Sequence, residues 1–123
     1  MLEHVNVTVS EPEATAAWLG RVFGWRVRWE GASMSDGRSV HVGTDASYVA
    51  LFRPGSEPGA GVDTYRTRGG LNHVGVTVDD LDAVEERVRA EGFTPGQHAD
   101  YEPGRRFYFD DRDGVEWEVV SYA

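Results

Sequence analysis

The sequence predicts an α+β chain of two tandem βαβββ modules, and three observations predict it. Leu2-Glu3-His4-Val5-Asn6-Val7-Thr8-Val9 recurs 69 residues later as Leu71-Asn72-His73-Val74-Gly75-Val76-Thr77-Val78, with six of the eight positions identical. After each copy comes a segment with helical spacing of apolar residues, and then three short strand-like runs. Between the copies lies Pro54 to Gly70, which holds two prolines and five glycines and reads as a linker. Duplicated units of this size are too small to stand alone, so the 123 residues are expected to form a single domain. Its parts are a first module over 1–53, a linker over 54–70 and a second module over 71–123.

The elements follow in order. In the opening strand Val5, Val7 and Val9 share one face, and His4, Asn6 and Thr8 share the other. Ser10 and Glu13 have capping-box spacing, with Pro12 tolerated in the first helical turn. Trp18–Val22 and Leu19–Phe23 then form apolar i,i+4 pairs, and Gly24 is a natural stop. Strands are predicted over Trp25–Glu30, Arg38–Val42 and Tyr48–Phe52, with a turn at Asp36-Gly37.

The second module repeats that order. Leu71–Val78 is a strand, and Asp79 or Asp80 caps a helix with a Leu81, Val84, Val88 stripe and an exposed Glu85–Arg89 pair. Gly92 ends the helix. Strands follow at Gln97–Tyr101, Arg105–Asp110 and Val115–Ser121, separated by Glu102-Pro103-Gly104 and Asp111-Arg112-Asp113-Gly114. Trp18, Phe23, Phe93 and Trp117 read as core, whereas Trp25, Trp29, Tyr48, Phe52, Tyr108 and Phe109 are candidates to line a ligand site. A tandem ferredoxin-like repeat would need a second helix in each unit, and neither Trp25–Phe52 nor Phe93–Ala123 shows one.

Composition narrows the chemistry. The formal net charge is −9, from 12 basic and 21 acidic side chains, which disfavours nucleic acid and anionic membrane surfaces as partners. No basic leader or long apolar run is visible, so a cytoplasmic location is expected. There is no cysteine, which removes thiol nucleophiles, disulfides and thiolate ligands. A metal site would have to use histidine and oxygen donors, suiting zinc, iron, manganese, nickel or cobalt.

In this order and spacing, LEHVNVTV, LNHVGVTVDDLDAV and the closing DDRDGVEWEVV resemble the vicinal-oxygen-chelate superfamily of glyoxalases, bleomycin-resistance proteins and extradiol dioxygenases. Arg112 stands where that family's closing turn usually has proline. The resemblance implies a cup of antiparallel-rich sheet with helices outside, built around a divalent metal. Its ligands come from the first and fourth strands of each module, which here implies His4, His73 and Glu118. The remaining position falls on Ala50, which cannot ligate. The four-ligand set of glyoxalase I or methylmalonyl-CoA epimerase is therefore missing. The His, His, Glu set is that of fosfomycin-modifying transferases and extradiol dioxygenases of the superfamily. Three ligands leave positions open for water or substrate oxygens.

Around that set, Glu118 and His41 are the catalytic candidates, His41 as a replacement ligand or a general acid/base whose facing depends on strand register. Arg105 and Arg106 point opposite ways, and Arg106 with Tyr108 and Phe52 is taken as substrate-binding. Glu116, on the same strand face as Glu118, reads as a solvated sheet glutamate, and His98, Tyr101 and Glu102 read as surface. The expected function is a small metalloenzyme of lyase, transferase or dioxygenase type acting on a small molecule. The alternative is a metal-free protein that sequesters an antibiotic or other aromatic, and a third reading is an inert or assembly subunit. By the same resemblance a homodimer is expected, with modules exchanged or not.

Overall fold

The structure is a computed structural model that describes residues 1–123. Two compact units emerge, Met1–Gly59 and Ala60–Ala123. In the first, β1 (His4–Thr8), α1 (Pro12–Phe23), β2 (Arg26–Ser33), β3 (Gly37–Gly43) and β4 (Tyr48–Arg53) follow in order. Its four strands form one sheet in the order β1-β4-β3-β2. β1 runs parallel to β4, and the other pairs are antiparallel. The second unit holds β5 (Val74–Thr77), α2 (Leu81–Ala90), β6 (Gly96–Tyr101), β7 (Gly104–Asp110) and β8 (Glu116–Ser121), with the equivalent order β5-β8-β7-β6. The predicted βαβββ order is thus present in both.

Alternation explains each core. In the first unit Val40, Val42, Val49 and Leu51 are buried together with Trp18, Leu19 and Val22 of α1, which packs on β3 and β4. In the second, Phe107, Phe109, Trp117 and Val119 are buried with Leu81, Val84 and Val88 of α2. Each such side chain contributes roughly 1.5–3 kcal/mol by leaving water. The opposite face of each sheet is left free to carry polar groups.

Local chemistry sets the helix ends, and partly against expectation. α1 starts at Pro12 with Glu11 as N-cap and no side-chain cap. The Glu13 carboxylate, which has capping-box spacing from Ser10, pairs with Arg38 on β3. Gly24 closes α1 at φ 74°, a conformation glycine adopts without strain. On α2 the Asp80 carboxylate accepts the Ala83 amide at 3.0 Å, so Asp80, not Asp79, is the cap. Replacing Asp80 with alanine should cost about 1 kcal/mol, measured as a lower urea midpoint; an unchanged midpoint would show that the cap is redundant.

Several other expectations shift. The β2–β3 turn is centred on Ser35 and Asp36, both at positive φ, with Gly37 N donating to Met34 O, so Asp36-Gly37 was one residue late. His73 lies just before β5 instead of within it, and Glu85 bonds His98 as well as Arg89. Phe109 does not line the free face, since it neighbours Tyr108 and consecutive strand residues point opposite ways. It is 3% exposed and stacks on Phe93. Trp25 precedes β2 and packs on Phe23 instead. Phe23 and Phe93 are half-buried rather than fully inside. Trp29 reaches the polar face because the β2–β3 register slips between Val27 and Trp29, a bulge that re-aims the side chain.

Candidate functional site

On β8 the helix-facing set is Trp117, Val119 and Ser121, which turns Glu116 and Glu118 to the other face. Glu118 stands in register with Tyr108 on β7 and Gly75 on β5. A side chain at Gly75 would meet open space, so nothing on β5 overhangs the carboxylate. Arg106, two residues before Tyr108, shares this face and directs Nη1 to Glu118 Oε1 at 2.8 Å. Arg105 faces the other way, onto Asp82 of α2. His73 Nε2 lies 2.9 Å from Glu118 Oε2. Side-chain exposures are 12% for Glu118 and 13% for Arg106 against 34% for His73, so the pair is buried and the ring half-open.

The surroundings of this group are polar and acidic. The Tyr65 hydroxyl donates to Glu116 Oε1 at 2.8 Å and lies 3.3 Å from His73 Nδ1. Glu116 is thus a partnered residue instead of a solvated one. Tyr108 meets His73 edge-on at 5.6 Å. Burial raises its hydroxyl above the usual tyrosine range, and the Glu118 charge adds to this. Asp110, in register with Glu116, is likewise pushed up by burial and then by Glu116. An open cavity of about 160 Å³ borders Tyr108, Asp110 and Glu116.

In the first unit the corresponding face carries rings. His4 stacks on Tyr48 at 4.8 Å, Tyr48 on His41 at 4.7 Å, and Trp29 lies 5.0 Å from His41. The Arg28 guanidinium sits 4.5 Å over the Tyr48 ring. His4 Nδ1 also bonds Glu3 at 2.7 Å. Strand register settles the facing of His41: it pairs with Ala50, which pairs with Asn6, so all three share the face of His4. Phe52, two residues beyond Ala50, lies on that face too. Burial, followed by the charges of His4 and Arg28, lowers the His41 pKa below the ordinary histidine value.

A family model described as Glyoxalase/Bleomycin resistance protein/Dioxygenase superfamily matches residues 1–119. The chain belongs to this superfamily. A glyoxylase/bleomycin resistance protein/dioxygenase domain from Frankia sp. EAN1pec superposes with a TM-score of 0.83 at 22% identity, over 98% of this chain and 96% of the other. TioX from Micromonospora sp. ML1 gives 0.71 at 24% identity, over 100% and 99% of the two chains. The fosfomycin resistance protein FosX from Listeria monocytogenes gives 0.73 at 18%, over 98% and 91%. These likenesses show the glyoxalase fold. No curated protein sequence matches the chain.

Within the superfamily frame the donor set can be tested for a divalent ion. His73 Nε2 and Glu118 Oε2 are in direct hydrogen-bonding contact at 2.9 Å, closer than the roughly 3.4 Å between two donors on a tetrahedral ion at about 2.1 Å, so an ion would have to part them slightly. The atoms that would not ligate, His73 Nδ1 and Glu118 Oε1, are held by Tyr65 and Arg106. Such outer partners are what orient ligating atoms in metal sites. No group of three or more His, Cys, Asp or Glu side chains is disposed to hold a metal ion. Sequence reasoning missed Tyr65 because it lies in the presumed linker; its aromatic character among glycines was the only signal.

Proposed function

We propose that this superfamily member is a small metal-dependent enzyme in which His4, His73 and Glu118 hold a divalent ion that takes oxygens of a small-molecule substrate. What supports the reading most is the His73–Glu118 pair, two potential donors side by side whose outward atoms are held by Tyr65 and Arg106. When bound, such an ion supplies Lewis acidity toward substrate oxygens. Ala50 adds no donor, so coordination positions stay open for substrate. His41, on the His4 face, is assigned proton transfer. Tyr108 and Phe52 offer ring surface to the substrate, and Arg106 holds the Glu118 charge in place. The substrate oxygens define a lyase, transferase or dioxygenase type of reaction, and a homodimer is the proposed assembly. No helix is long and apolar enough to cross a membrane.

The test is metal content by mass spectrometry after reconstitution with zinc, iron(II), manganese, nickel and cobalt in turn. About one ion per chain is expected, and none in His73→Ala. If no ion binds under any of these conditions, the metalloenzyme reading is wrong. The ring-lined face of Trp29, His41 and Tyr48 would then favour metal-free capture of an aromatic ligand.

A further inference from the structure

Tyr65 lies outside every strand and helix, yet its hydroxyl is held on two sides. Glu116 Oε1 is 2.8 Å away and His73 Nδ1 is 3.3 Å away. The segment that carries it is folded, not slack. The Asp63 carboxylate accepts the Tyr65 amide at 3.2 Å, and Thr67 Oγ1 donates to Asp63 O at 2.7 Å. Gly70 closes the segment with its amide on Thr67 O at 2.8 Å. A Cβ at Gly70 would come within 2.2 Å of Thr64 O, so only glycine allows this close approach.

A tyrosine hydroxyl has one proton, and an ionised carboxylate can only accept, so the Tyr65 O–H donates to Glu116. The Tyr65 oxygen also lies 3.3 Å from His73 Nδ1, while His73 Nε2, across the ring, is 2.9 Å from Glu118 Oε2. Tyr65 thus holds one ring nitrogen of His73 and leaves the other facing Glu118.

We propose that Tyr65 is a positioning residue for metal binding: held by Glu116, its hydroxyl fixes the His73 ring at Nδ1 so that Nε2 is turned toward Glu118. This rests on the metal reading above. Tyr65 is 58% exposed, so removing its hydroxyl should leave packing intact and act through its two partners, Glu116 and His73.

The experiment is a titration of the full chain with cobalt(II), followed by its visible absorption band, in the wild type, Tyr65→Phe, Tyr122→Phe and His73→Ala, with metal-free melting curves alongside. Tyr65→Phe should bind cobalt on the order of 10- to 100-fold more weakly, with an unchanged metal-free melting temperature. Tyr122→Phe, an exposed tyrosine elsewhere in the unit, should match the wild type, and His73→Ala should show no band. Equal affinity in Tyr65→Phe, with binding still lost in His73→Ala, would overturn the Tyr65 assignment and leave the metal reading standing. A metal-free melting temperature that falls together with affinity would also overturn it, by making Tyr65 merely structural. Absence of the band in the wild type would overturn both.

Discussion

Replacing Asp111 with alanine is expected to destabilise the protein by about 3 kcal/mol, since three donors lose one shared acceptor. Asp111 Oδ1 accepts the amides of Asp113 at 2.9 Å and Val115 at 3.0 Å, while Oδ2 accepts Trp117 Nε1 at 3.0 Å. The carboxylate thus ties the β7–β8 turn to a tryptophan that is 1% exposed, and the turn closes at Gly114 with φ 78°. Each stranded donor costs roughly 1–3 kcal/mol, offset in part because an ionised carboxylate no longer has to be desolvated. That offset gives a pH signature. Burial outweighs the three hydrogen bonds and raises the Asp111 pKa above 3.8. The folded state therefore binds the proton more tightly than the unfolded state, and the contribution of Asp111 to stability falls as pH rises from about 3.8 through the folded pKa, then levels. The deficit of Asp111→Ala should be larger at acid than at neutral pH. Urea unfolding across pH measures this, and a mutant within about 0.5 kcal/mol of wild type would contradict the role given to the turn.

The same closing segment shows what could be read from the chain before its structure. The repeat at an offset of 69 carried the element order, because a strand's two-residue alternation and a helix's apolar spacing are local properties that survive duplication. Features set by partners distant in sequence were not legible. Glu13 had the spacing of a capping residue, but its carboxylate is claimed by Arg38, 25 positions away. The facing of His41 depended on which residue of β4 lies opposite, and only the pairing with Ala50 decides it. Trp29 was placed on the ligand face by simple alternation, yet it arrives there through a bulge at Arg28 that alternation does not contain. Tyr65 lay among the glycines of a presumed linker, where no periodic pattern could flag a hydroxyl that meets Glu116 51 residues on.

Ala50→Glu should turn the one unfilled ligand position of the family pattern into a measurable gain. Ala50 is 2% exposed and lies on the face of His4, in register with His41 and Asn6. Without metal, a carboxylate placed there is buried with little compensation, and a loss of about 3 kcal/mol is expected. With metal, the new oxygen becomes a ligand, so affinity should rise. A divalent ion at about 100 times its dissociation constant returns roughly 2.7 kcal/mol through binding to the folded state alone. The variant should therefore melt below the wild type in chelator and show the larger metal-induced rise in melting temperature. If zinc or cobalt shifts both proteins equally, the position opposite His41 is not part of the metal site and the open-position argument fails. A gain in affinity would place the residue opposite His41 among the ligands of the proposed metal site.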